Sequence, residues 1–203
     1  MKKILIGIVT YNKKDYCKER FLDRLDSIDP LRNHEIKVID NTDFPEKNPK
    51  KRLCEARNML IDYFLKTDCD YLFHLEADVL PPQNVIYSLS KWDKKIVCGW
   101  YYIGQQRGEE GSYMTPCLSS DKRPLNEMDL CKEKLLKVFV GALGCCLIHR
   151  SIFENGYRFW VRDDLKMMDD GAFWYDMWEK GIDVFVDTDM LCIHFPDNYR
   201  EIK

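Results

Sequence analysis

The segment Tyr71-Leu-Phe-His-Leu-Glu-Ala-Asp-Val-Leu-Pro-Pro82 places two carboxylates, Glu76 and Asp78, one residue apart, at the end of an apolar run and just before two prolines. Alternate residues of an extended chain point the same way, so both acids could face one divalent cation. Carboxylates are depleted in strand interiors and costly to bury unpaired, which favours a positive group at this tip. The competing reading is a solvated turn in which Asp78 hydrogen-bonds its own backbone ahead of Pro81-Pro82. Two more polar clusters follow apolar runs: Thr10, Tyr11 and Asn12 after the first, Asp40 and Asn41 after the second. An acid there can accept from a base or ribose, and an aromatic ring can stack on a base. Both clusters are also ordinary turn-forming sequences.

The elements that must position these groups alternate. Lys3 to Thr10 reads as a buried strand, Asp15 to Ile28 as a helix closed by Asp29-Pro30, and Glu35 to Asp40 as a second strand. Asn48 is a candidate N-cap with Pro49 at the first helical position, and Leu53, Leu60, Ile61 and Phe64 fall at helical spacing. The strand Tyr71 to Leu75 comes next, then a short helix from Pro82 and a strand from Lys95 to Trp100. This alternation predicts an α/β fold with a mainly parallel central sheet flanked by helices. Ligands of such sheets bind beyond the carboxyl ends of the strands, where all three polar clusters fall.

From Ile103 to Lys134 the chain carries Gly, Ser, Pro and charge with little periodicity. A loop of that length within a domain is usually functional or mobile. Leu136 to His149 re-enters the core, and its Gly141-Ala-Leu-Gly-Cys-Cys146 centre allows close backbone approach. A helix is predicted over Gly171 to Lys180, with Asp169 or Asp170 as N-cap, a buried face of Phe173, Trp174, Met177 and Trp178, and Gly181 at its end. Two short strands, Asp183 to Val186 and Met190 to His194, close the chain's regular structure.

A length of 203 residues suits a single domain spanning 1–203, and no apolar run reaches the roughly 18 residues of a transmembrane segment. Met1 to Val9 reads as a first strand rather than a signal peptide, since its short apolar run lacks a small-residue cleavage site. Nine cysteines, an odd number without C-x-x-C spacing, predict reduced thiols and a cytoplasmic location. A net charge of −3 gives no reason to expect a nucleic-acid partner.

With these pieces in order, the chain resembles the GT-A glycosyltransferases, especially the family 2 type. The matching pieces are Ile8-Val-Thr-Tyr-Asn12, Val38-Ile-Asp-Asn41, Ala56-Arg-Asn58, Leu75-Glu-Ala-Asp78 in place of the family's D-x-D, Asp169-Asp170 followed by Phe173, and Gly181 to Thr188 leading to His194. The resemblance runs from about residue 3 to 196. It implies a hexosyltransferase that uses Mn²⁺ or Mg²⁺ and a UDP- or GDP-linked sugar. Thr10, Tyr11, Asn12, Asp40, Arg57, Glu76, Ala77 and Asp78 would bind the donor, and Asp78, His194 and Glu76 would hold the metal. The acceptor would be a carbohydrate, lipid-linked or other hydroxyl. Two departures stand out: Glu76 replaces the first Asp of D-x-D, which points to a water-mediated role, and residues 103–135 have no counterpart, which suggests an acceptor loop.

The resemblance also implies that one acid of the Asp169-Asp170 pair is the general base. A helix start lowers a carboxylate's pKa, whereas a base works best near the operating pH, so Asp169 is expected to cap and Asp170 to take the acceptor's proton. With one base and no evident opposing nucleophile, inversion is expected by analogy with glycosidases. Trp100, Tyr101, Tyr102 and Trp160 offer flat faces for sugar rings, or are core residues. A sugar-phosphate nucleotidyltransferase would share the sheet and the metal acids, but Tyr11-Asn-Lys13 replaces a glycine-rich phosphate loop. A non-catalytic sugar-nucleotide-binding module would need no base.

Overall fold

A computed structural model describes residues 2–11, 17–29, 33–106, 112–121, 123–162 and 169–195. The first half follows the alternation of the sequence. β1 (Ile4–Thr10), α1 (Lys18–Ile28), β2 (Glu35–Asp40), α2 (Pro49–Phe64) and β3 (Tyr71–Glu76) succeed one another. The Asn48 side chain accepts from the Lys50 and Lys51 amides, with Pro49 occupying the position where a missing N–H costs nothing. Leu60, Ile61 and Phe64 of α2 are fully buried against β1 and β2.

After β3 come β4 (Val79–Leu80), α3 (Val85–Ser90) and β5 (Ile96–Trp100), then β6 (Tyr102–Gln106) and β7 (Ser112–Pro116). α4 (Glu127–Leu130), β8 (Leu135–Val138), β9 (Cys145–His149) and α5 (Arg150–Glu154) follow, and α6 (Asp169–Glu179), β10 (Val184–Leu191) and β11 (Ile193–His194) end the series. A seven-stranded sheet runs β2-β1-β3-β9-β5-β10-β8. β2, β1, β3, β5 and β10 share one direction, while β9 and β8 are reversed. The sheet is therefore mainly parallel and flanked by helices, and the core lies between sheet and helices.

Several expected elements differ. The short helix begins at Val85 and not at Pro82. The segment 103–134 is not without regular structure: β6 and β7 pair as an antiparallel ribbon, and α4 opens with a capping box between Asn126 and Asp129. Period-2 patterning fails to reveal the ribbon because it lies outside the main sheet and Met114 is exposed. The return to the core over Leu136 to His149 takes the form of two strands: β8 is the sheet edge beside β10, and β9 inserts between β3 and β5. The last strands divide differently too, with β10 continuous through a pairing shift between Val186 and Leu191. Trp178, expected in the core, is exposed, whereas Phe173, Trp174 and Met177 are fully buried. Gly181 ends α6 with φ +65, a left-handed conformation that glycine adopts without steric cost.

Candidate active site

The carboxyl ends of β1, β2, β3, β5 and β10 lie along one margin of the sheet, in a register that pairs Thr10 with Asp40, Val9 with Glu76 and Trp100 with Leu191. The start of β9 joins this margin, where the Glu76 amide donates to Gly144 O at 3.0 Å. Most sequence-predicted site residues therefore share one edge. Asn12 lies outside the described residues, as does the side chain of Asp169.

Glu76 and Asp78 pair with different groups. The extended run stops at Glu76, and Ala77 and Asp78 form a turn before β4, so the alternation expected to align the two acids is broken. Glu76 forms an ion pair with Arg57, which rises from α2 and is only 3% exposed. The Arg57 guanidinium also lies 5.4 Å over the Phe159 ring. Beside this pair, His74 is fully buried, with Nδ1 2.9 Å from Leu143 O. Burial first, and then the Arg57 charge, lower its pKa to about 4, so the ring is neutral at physiological pH.

Asp78 is 3% exposed and meets His194 instead. The two come together because β4 and β11 pair antiparallel, setting His194 opposite Val79 and bonding the Phe195 amide to Asp78 O at 2.9 Å. His194 Nε2 stands 3.6 Å from Asp78 Oδ2, while Nδ1 is 3.2 Å from Tyr102 O. A ring that donates through Nδ1 to a carbonyl presents Nε2 as a lone pair, the orientation of a metal-ligating histidine. Asp78 and His194 thus suit a hard-to-borderline divalent cation. Glu76, held by Arg57, suits it less. Among the described residues no group of three or more His, Cys, Asp or Glu side chains is arranged to hold a metal.

Tyr101 links the groups. Its ring packs 4.8 Å from His194, and its hydroxyl stands only 2.8 Å from where a β-carbon on Gly144 would lie, so that glycine makes room for it. Burial, and then charge on Cys117, Glu76, Asp170 and Asp78, hold the phenol's pKa well above its ordinary value. It therefore stays a neutral hydrogen-bond donor among acids. Asp170 lies within the first turn of α6, which takes in both Asp169 and Asp170. Asp170 Oδ1 accepts from the Gly171 amide at 2.7 Å. Asn58 grips the approach to α6, donating to Phe159 O at 2.8 Å and accepting from Phe159 N at 2.9 Å.

At the β1–β2 side, Thr10, Tyr11, Asp40 and Ala77 line a cavity of about 140 Å³ with Lys18 at its wall. Asp40 Oδ1 already accepts from the Thr42 amide at 2.9 Å and its hydroxyl at 2.6 Å. Of the aromatic residues expected to meet a sugar, Trp100 and Tyr101 are largely buried, Tyr102 is half-buried and Trp160 is exposed. Sequence reasoning passed over Lys18, a charged residue at the start of a helix whose buried face is Phe21, Leu25 and Ile28. It marked the segment holding Gly144 for close backbone approach but not Tyr101, distant in the chain, as the group that approaches.

No family model matches the chain, and no curated protein matches it in sequence. Solved structures do match in fold. The A197 protein from STIV is similar with a TM-score of 0.58 and 15% identity, over 96% of this chain and 86% of that one. The catalytic domain of Drosophila beta1,4-galactosyltransferase 7, solved with xylobiose, gives 0.55 and 13% over 98% and 74%. GalNAc-T7, solved with UDP, GalNAc and Mn²⁺, gives 0.51 and 15% over 96% and 44%. The chain has the GT-A glycosyltransferase fold. No helix among the described residues is long and apolar enough to cross a membrane.

Proposed function

We propose that this chain is a metal-dependent glycosyltransferase that moves a sugar from a UDP- or GDP-linked donor to an acceptor hydroxyl, with inversion. The observation that carries the reading is the juxtaposition of Asp78 and His194 at the carboxyl margin of the sheet, with Nε2 facing the carboxylate at 3.6 Å. The GT-A fold and the UDP and Mn²⁺ bound to one structural neighbour support it.

Asp78 and His194 would hold Mn²⁺ or Mg²⁺, which when bound supplies Lewis-acid stabilisation of the departing diphosphate. Arg57 neutralises Glu76 and fixes it beside the turn, keeping a second unpaired carboxylate from competing for the cation. Thr10, Tyr11, Asp40 and Ala77 form the wall that receives the nucleoside. Tyr101 stays protonated and offers its hydroxyl to a sugar oxygen. Asp170 takes the proton from the acceptor hydroxyl as that oxygen attacks the face opposite the leaving group. The chain's own part is thus to orient two substrates and move one proton.

Incubating the protein with nucleotide sugars and Mn²⁺, and following free nucleoside diphosphate, tests the reading. Asp170→Asn should retain donor binding and lose turnover by about 10²-fold or more. A nucleotidyltransferase would instead consume sugar phosphate and nucleoside triphosphate, and a binding module would be indifferent to Asp170→Asn.

A further inference from the structure

β2 is an edge of the seven-stranded sheet, and among the described residues nothing pairs with its outer side. The Asn41 amide donates to Thr10 O at 3.0 Å. Backbone groups alternate along a strand, so the amides and carbonyls of Ile36 and Val38 point away from β1. The opposite edge is closed by the chain itself: just beyond β8, the Phe139 and Val140 amides both donate to Ser119 O, at 2.8 and 3.1 Å. Ile36 and Val38 share one face of β2 and are 43% and 49% exposed. Leu22 of α1, also exposed, lines the same cavity wall as Val38. An open strand edge with exposed β-branched side chains is a template for another strand.

The charges on this edge select which strand fits. Glu35 and Lys37 lie on the other face, where both touch Tyr63: its hydroxyl donates to Glu35 Oε1, and Lys37 Nζ lies 4.5 Å over its ring. Neither forms an ion pair among the described residues. A second copy of the chain, laid antiparallel about a two-fold axis through Ile36, sets Glu35 opposite Lys37 and Lys37 opposite Glu35. Ile36 then meets its own counterpart, and Val38 faces His34. The outward groups of Ile36 make this a hydrogen-bonded pair, so Glu35 and Lys37 fall in the adjoining non-hydrogen-bonded pairs, where side chains approach most closely. An axis through Lys37 would oppose two lysines, and one through Val38 would leave Glu35 opposite Asn41 and Lys37 opposite Ile39. The His34 amide is kept by Asp29 at 3.1 Å, which ends the ladder there. We infer that the chain forms a two-fold dimer by antiparallel pairing of β2 with β2 of a second copy, in the register set by Glu35 and Lys37, so that one sheet runs through both. The pairing is independent of the chemistry at the carboxyl margin.

Sedimentation velocity on the full chain at rising concentration tests the pairing. Wild type should pass from monomer to dimer below about 100 μM. Glu35→Lys and Lys37→Glu each set like charges opposite one another in both symmetry-related pairs, and each should weaken dimerisation about tenfold. The double exchange Glu35→Lys/Lys37→Glu should restore it. The two single variants, mixed, should dimerise with each other, which also shows that both are folded. A wild type that stays monomeric to that concentration, a dimer unmoved by the single variants, or an exchange or mixture that fails to restore it overturns the pairing.

Discussion

The two sides of the sheet margin are built in different ways. On the β1–β3 side, Thr10 and Asp40 end the strands β1 and β2 and the Ala77 turn directly follows β3, so these groups are placed by local structure. On the β5–β10 side, the chain leaves through the β6–β7 ribbon, returns by α4 to the edge strand β8, and reaches β9 only afterwards. There His194 is placed by pairing with Val79, far away in sequence. One wall is thus made of local strand connections and the other of long-range pairing.

That contrast can be broken or sharpened by substitution. Removing Arg57 should do most damage, since it strands Glu76 and its neighbours around a buried site: Arg57→Ala is expected to cost about 3 kcal/mol in urea denaturation. His74 gives a pH signature. Its folded pKa of about 4 lies below the ordinary 6.5, so the unfolded chain binds a proton first, and stability is lost as pH falls from 6.5 towards 4. The loss should reach about 3 kcal/mol, slightly less than the Arg57 effect once residual titration is allowed for, and denaturation of His74→Asn should lack it. On the other side, Gly144→Ala drives a methyl group to 2.8 Å from the Tyr101 hydroxyl and should cost about 2 kcal/mol, with calorimetric Tm falling accordingly. Asn48→Ala, which removes one cap, should cost about 1 kcal/mol and leave activity intact.

The same contrast explains what was legible in the sequence. β1, β2, α2 and β3 fall where patterning places them, because burial of alternate or helical faces is a local property. Asp40 and Asp78 were legible as acids at strand ends for that reason. The separate fates of Glu76 and Asp78 were not, since they depend on Arg57 from α2 and His194 from β11. Leu136 to His149 reads as one apolar stretch because both β8 and β9 are apolar, although the sheet places them in different positions. The exposure of Trp178 follows from α6 packing on one face only, with Phe139 and Tyr175 as its ring neighbours.

The central claim is that Asp78 and His194 form a metal site serving a nucleotide sugar. A thermal-shift screen of UDP-, GDP- and dTDP-sugars with and without Mn²⁺ tests it most directly. The account predicts that at least one UDP- or GDP-sugar raises Tm only when Mn²⁺ or Mg²⁺ is present, and that Asp78→Asn and His194→Ala abolish the rise. Stabilisation that ignores the metal, or that survives both substitutions, would contradict it.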